Sequence, residues 1–125
     1  QLVKSTFKLA YEQRQPQLPL LFHTDRGSNY RSNAFCAYLQ LLGVTQSFSR
    51  AHVPYDNSVM ESFFASMKRE ELYRTKYRSE QELRAAIAEY IKFYNETRPH
   101  AKNGYKTPFK KEQEYYVNSK QNEKK

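Results

Sequence analysis

Tryptophan is missing from these 125 residues, and cysteine, methionine and glycine are scarce, at one, two and three copies. With Cys36 the only thiol, no internal disulfide can form, which suits a reducing compartment. No apolar run approaches the roughly 20 residues needed to cross a bilayer, and no signal-peptide core is present. Neither a membrane protein nor a disulfide scaffold is expected; the reading is a cytoplasmic chain. Internal repeats and low-complexity tracts are also absent. Acidic residues are in deficit, with 13 Asp and Glu against 21 Lys and Arg.

That deficit leaves a formal charge of +8 and a pI near 9.6, so an anionic polymer is the natural partner, with solubility alone as the plainer explanation. The excess is uneven: residues 92–125 hold nine basic and four acidic side chains, residues 1–91 twelve and nine. Eleven Tyr and eight Phe can build a core, and some can stack on bases. A chain of this length with 38% hydrophobic residues suits one domain with one modest core.

Val3, Phe7, Ala10 and Tyr11 share one face of an amphipathic helix over residues 1–14, ended before Pro16. Residues 18–24 form a short apolar run that reads as a strand buried on both faces, with Pro19 at its beginning. Asp25-Arg26-Gly27-Ser28-Asn29 favour a tight loop, which puts Asp25 at the carboxyl end of that strand. Phe35, Tyr38, Leu39 and Leu42 mark a second helix that Gly43 ends with positive φ, and Val44 to Ser49 read as a second strand. After a loop over residues 50–56, Met60, Phe63, Phe64 and Met67 define a helix reaching about Tyr73. Ser79-x-x-Glu82 is a capping box opening a long helix that stops before Pro99. Gly104, Pro108 and alternating charges describe an irregular basic tail, frayed or disordered from Tyr115 to Lys125. Strands alternating with helices give an α/β pattern, a sheet covered by helices.

Two carboxylates carry the chemical reading. Asp25 sits at the open rim of the sheet, where α/β proteins place their chemistry. Glu61 lies on the helix after the next strand, with 35 residues between the two. Paired carboxylates suit Mg²⁺ or Mn²⁺, whose open positions take phosphate oxygens and water. Lys68 follows Glu61 by about two turns on the same polar face and suits a phosphate contact. Each acid also has a plainer reading. Asp25 fits an Asx-turn before Gly27, and Ser58-x-x-Glu61 fits a capping box, which on that stretch alone is the stronger of the two. His23 is either near the metal or a strand-end histidine satisfied by hydrogen bonds. Asn57 either orients DNA or caps the helix. Arg26 is a phosphate contact or plain surface charge, and Arg98 with His100 either meets DNA or closes a helix against the core.

The block His23-Thr24-Asp25-Arg26-Gly27-Ser28-Asn29-Tyr30, the block Asp56-Asn57-Ser58-Val59-Met60-Glu61-Ser62-Phe63-Phe64 with Lys68, and Tyr94-Asn95-x-x-Arg98-Pro99-His100 with Gly104-Tyr105-x-Thr107-Pro108 come in order. Together they closely resemble the integrase-core transposases of bacterial insertion sequences, relatives of retroviral integrases with a ribonuclease-H-like fold. The resemblance runs from about Leu20 to Pro108. It implies a triad of two Asp and one Glu on divalent metal, Asp25 matching the second Asp and Glu61 the Glu, both catalytic and metal-binding. Lys68 matches the basic position seven residues after that Glu. DNA contacts are expected of Lys68 and, on the residue readings above, of Asn57, Arg26, Arg98 and His100; the partners expected are DNA, as element ends and target, and a second copy of the chain through the exposed edge of the strand ending at Asp25, in a bacterial, nucleoid-associated setting. The departure is at the first Asp: residues 1–24 hold no Asp and one acid, Glu12. The expected fold is therefore a ribonuclease-H-like integrase core with a mixed sheet, incomplete at the N-terminus. Residues 1–108 form the partial catalytic core and residues 109–125 a basic tail, partly disordered. The expected function is DNA strand cleavage and transfer by metal-dependent phosphoryl transfer. Two alternatives are an inactive DNA-binding or assembly fragment lacking the first Asp, and a nonenzymatic basic scaffold.

Overall fold

The computed structural model describes residues 1–123. The chain divides into two compact units, Gln1–Ser62 and Phe63–Lys125.

In the first unit, helix α1 (Leu2–Arg14) precedes strand β1 (Leu20–Thr24), helix α2 (Asn33–Leu41) and strand β2 (Val44–Phe48). The strands pair in parallel, Leu20 opposite Val44 through Thr24 opposite Phe48. Parallel strands need a crossover connection, and α2 supplies it. Ser32 caps α2 by accepting a hydrogen bond from the Phe35 N–H. Gly43, at φ 72°, takes the left-handed conformation that turns the chain into β2, as its position after the periodic residues predicts. The core is Phe7, Phe35, Leu39 and Val44, with Leu20, Phe22, Tyr30 and Tyr38 packed around it. The Phe7 ring meets Phe22 edge-on at 4.8 Å and Phe35 at 6.1 Å.

Two sheet expectations are corrected here. Among the described residues the sheet is a parallel pair rather than a mixed sheet. Nor is β1 buried on both faces: inward Leu20, Phe22 and Thr24 alternate with exposed Leu21 and His23, Leu21 at 63%. The apolar run is continuous, but the core of α1 and α2 side chains takes only alternate residues of the strand.

Helix α3 (Ser58–Met67) grows directly out of a 3₁₀ turn, Pro54–Asn57, and runs on through a π-helical turn, Lys68–Leu72, in which the Tyr73 N–H reaches the Lys68 carbonyl at 2.9 Å. In the second unit, helix α4 (Glu80–Glu96) starts at the predicted Ser79 cap, whose Oγ accepts from the Glu82 N–H; the Glu82 carboxylate reaches back past the N-cap to the Arg78 N–H at 2.7 Å, so only the Ser79 half of the expected box forms. Buried Met67 and Tyr90 sit in this unit, where Phe63 meets Tyr94 edge-on at 4.9 Å.

The irregular tail is also corrected. Residues Pro108–Asn122 form helix α5, including the stretch from Tyr115 expected to fray; Lys124 and Lys125 lie outside the described residues. Thr107-Pro108 is a helix start: the Thr107 hydroxyl accepts from the Lys110 N–H, and proline fills a first-turn position that has no partner to lose. An ion pair from Lys106 Nζ to Glu114 at 2.7 Å ties the preceding turn to the helix.

Leu39 is fully enclosed at the centre of the first unit. Leu39→Ala is expected to lower stability by about 2–5 kcal/mol, read from the urea midpoint at unchanged m-value. A loss below 1 kcal/mol, on the same scale, would mean that this core does not carry the unit.

Candidate functional site

The carboxyl ends of β1 and β2 are locked together by their loops. The Ser49 N–H donates to the Thr24 carbonyl at 2.9 Å, extending the ladder by one bond, and Arg26 Nε donates to the Ser49 carbonyl at 2.8 Å. Asp25 follows β1 directly. Its Oδ1 accepts from the Gly27 N–H at 2.7 Å, so the Asx-turn reading of Asp25 is the observed one. The turn fixes the carboxylate against its own loop and favours glycine, since a Cβ at position 27 would lie 2.9 Å from that oxygen and would push the carboxylate aside. Asp25, Arg26, Ser49, Arg50, Ala51, His52 and Val53 line an open groove of about 460 Å³ at this rim.

The far wall is pinned by a second acid. Asp56 accepts from the Arg50 N–H at 2.8 Å and pairs with the Arg50 guanidinium at 3.3 Å. Hydrogen bonds from the Arg50 side chain and backbone hold the Asp56 carboxyl below the usual carboxylate range, with a smaller contribution from His23. His23 itself lies between two serines, Nδ1 2.9 Å from Ser47 Oγ and Nε2 3.3 Å from Ser49 Oγ, the hydrogen-bonded strand-end histidine of the plainer reading.

Glu61 stands exposed in the first turn of α3, where a carboxylate is favoured by the helix dipole. The capping-box reading does not hold: Ser58 has helical angles, φ −57° and ψ −31°, because α3 continues a 3₁₀ turn and needs no extended cap residue. Glu61 does not line the groove that holds Asp25, and among the described residues no group of three or more His, Cys, Asp or Glu is gathered for a metal ion. The two acids are hard-oxygen donors of the kind Mg²⁺ takes, yet they supply only part of an octahedral shell. Lys68 is exposed as the first residue of the π-helical turn, and Asn57 is half-buried at the end of the 3₁₀ turn before α3.

Arg98 and His100 are both engaged within the fold. Arg98 grips Glu70 in a two-pronged pair, Nη2 to Oε1 at 2.6 Å and Nε to Oε2 at 2.9 Å, while the Tyr90 hydroxyl donates to Oε2 at 2.9 Å. His100 stacks edge-on against Tyr94 at 4.4 Å, with Nε2 3.2 Å from the Tyr94 carbonyl. The reading in which this segment closes α4 and docks on the core is the one observed. Sequence reasoning missed Glu70, which lies inside the π-helical turn, 28 residues from its arginine. No local spacing announces such a pair. An acid beside Lys68 and an arginine ahead of a proline were the only signals.

An α/β unit that ends a parallel strand in an acid at its carboxyl rim, and continues into a helix bearing a second acid, is the kind that places chemistry at strand ends. Residues 42–108 match the integrase core domain. The transposase for insertion sequence element IS904 of Lactococcus lactis subsp. lactis strain IL1403 is 38% identical over 108 residues, 86% of this chain and 43% of that protein. A Lactococcus lactis subsp. lactis protein named ATP-dependent protease is 38% identical over 115 residues, 90% of this chain and 37% of that one. The putative transposase InsK for insertion sequence element IS150 of Escherichia coli K12 is 31% identical over 116 residues, 93% of this chain and 41% of that protein. The chain belongs to the integrase core domain family. It spans less than half the length of these curated relatives. The matched residues include Asn57, Glu61, Lys68, Glu70, Arg98 and His100, while Asp25 and Arg26 precede them.

Hydrogen bonds from Arg98 hold the Glu70 carboxyl below its usual range against the opposing effect of burial, and Tyr90 adds to them. Burial, then the bond to Glu70, pushes the Tyr90 phenol up to about 12. A lowered carboxyl stabilises above its unfolded value near 4.5 and loses that contribution as pH falls through the folded value. The raised phenol stabilises below its unfolded value of 10 and loses its contribution as pH rises through about 12. Glu70→Gln is therefore expected to lose about 2 kcal/mol at neutral pH and to flatten the acid limb of the stability profile below the ordinary glutamate value. Chemical unfolding across a pH series measures both. An unchanged acid limb would remove Glu70 from the account.

Proposed function

We propose that this chain is the C-terminal part of a transposase catalytic core whose parent cleaves DNA and joins a 3′-hydroxyl to a target strand. The observation that supports it most directly is the likeness to insertion-sequence transposases across most of the chain, together with Asp25 at the strand rim and Glu61 on α3. In this reading Asp25 and Glu61 would hold Mg²⁺ or Mn²⁺ together with one further acid of the complete ribonuclease-H-like core. Such an ion, when bound, stabilises charge on the phosphoryl oxygens and activates the attacking one.

The chain's own residues then position. The Asx-turn holds the Asp25 carboxylate at the rim, and the start of α3 presents Glu61. Lys68 and Asn57 on the α3 side and Arg26 at the groove contact DNA. Arg98 and His100 support the fold, Arg98 by fixing Glu70 in the turn that begins with Lys68. Self-association belongs to the same reading, with exposed Leu18 and Leu21 as surface to cover. The protease name borne by one relative has no counterpart in these motifs; the 125 residues contain no Gly-x₄-Gly-Lys phosphate loop.

A second reading is an inactive DNA-binding or assembly segment. It is favoured by the absence of Asp from residues 1–24 and of a three-ligand group among the described residues.

In the full-length protein, Glu61→Gln and Asp25→Asn are expected to abolish Mg²⁺-dependent strand transfer while end binding persists. Lys68→Ala should weaken DNA binding on every sequence and reduce its salt slope by about one. Strand transfer retained by Glu61→Gln would overturn the catalytic reading. Robust metal-dependent cleavage by the 125-residue chain alone would overturn the inactive one.

A further inference from the structure

Helix α5 is amphipathic the wrong way round for a helix stabilised by its own unit. Its half-buried positions include Glu112, Glu114 and Ser119, whereas Phe109, Tyr116 and Val117 are 50%, 52% and 55% exposed. At 100° per residue, Tyr116, Phe109, Lys120, Gln113, Val117 and Lys110 fall in that order around one arc of the helix. The arc contains no acid. The nearest acids flank it on either side: Glu114, beyond Lys110, is paired with Lys106 at 2.7 Å, and Glu112, about 40° from Tyr116 on the other side, is half-buried. Phe109 and Tyr116 are seven residues apart, about 10 Å along the axis, and the Tyr116 ring is braced edge-on by Tyr115 at 5.5 Å.

A surface that offers two aromatic rings about 10 Å apart, with two lysines on the same arc and no acid within it, matches one kind of partner. That partner is a polyanion whose bases are free to stack. Aromatic rings take successive unpaired bases, and lysines follow the phosphates; in a duplex the base faces are already stacked on one another. We propose that the Phe109–Tyr116 face of α5 is a docking surface for single-stranded DNA. The surplus of basic residues after position 92 supports the sign of the partner. The proposal rests on the reading that the parent protein handles DNA, and it names which part of this chain takes an unpaired strand.

Fluorescence anisotropy with a labelled 20-mer of thymidine in EDTA, on the 125-residue chain and on its full-length parent, tests it. A duplex of equal length and vesicles of phosphatidylglycerol serve as competitors. Phe109→Ala and Tyr116→Ala are each expected to weaken single-strand binding by about tenfold. Lys110→Gln with Lys120→Gln should reduce the salt slope by about 0.7 per lysine that touches phosphate. Tyr116→Phe, which keeps the ring, should bind as the parent does. Unchanged binding in both alanine variants would overturn the proposal, as would duplex or vesicles competing as well as the single strand. Sedimentation in which Phe109→Ala dissolves a dimer without changing DNA affinity would assign the face to a second copy and also overturn it. Circular dichroism of the alanine variants checks that α5 persists; if it does not, the Tyr116→Phe and lysine results decide. Because the binding assay contains neither metal nor element ends, its failure leaves the strand-transfer test standing, and failure there leaves this one standing.

Discussion

Two five-residue strands lying side by side in the same direction leave the chain no short way back, and most of the first unit follows from that constraint. A parallel pair requires a crossover, α2 is the crossover, and the face of α2 that meets the sheet carries Phe35 and Leu39. Phe7 of α1 closes the same core. Both strands then end at one rim, so the residues that follow them, Asp25 and Ser49, are neighbours because of topology and not because of their own affinity. Hydrogen bonds from Arg26 and within the Asp25–Gly27 turn refine a placement that the pairing had already set.

The second unit depends on a different device. A π-helical turn is less favourable than continued α-helix and persists where other contacts hold it. Here the contact is Glu70, taken by Arg98 in three hydrogen bonds, Nε reaching both oxygens, and by Tyr90 in a fourth. Half-buried charges of opposite sign with each oxygen bonded avoid the desolvation cost that either would meet alone. The arrangement also explains why an arginine in a basic segment does not behave as surface charge. Its guanidinium is consumed by the fold, and the positive face of the region shifts toward lysines such as Lys110 and Lys120.

The three motif blocks are thus differently built into the molecule. The Asp25 block is a strand end and a turn. The Glu61 block is a helix start. The Arg98 block is largely structural, with His100 packed on Tyr94 and bonded to its carbonyl. Asp25 and Glu61 are both exposed, but a shared ion asks that they also meet; Glu61 lies outside the groove that holds Asp25, and no group of three or more such ligands is gathered among the 123 described residues.

Periodicity was legible in the sequence, and with it α1, α2, α3, α4 and both strands, because an amphipathic stripe or a bounded apolar run is a local property. Local as well were Gly43 at positive φ and the Ser79 cap. Other features were settled only by tertiary structure. Whether β1 is covered on one face or two depends on what packs against it, which five residues of apolar sequence do not encode. Whether Ser58 caps a helix depends on the backbone arriving as a 3₁₀ turn. Thr107-Pro108 reads equally as a break or a beginning until Lys106 and Glu114 are seen to close on each other across eight residues. The pairing of Glu70 with Arg98 spans 28 positions, and an interaction at that separation exists only once the chain has folded to bring it about.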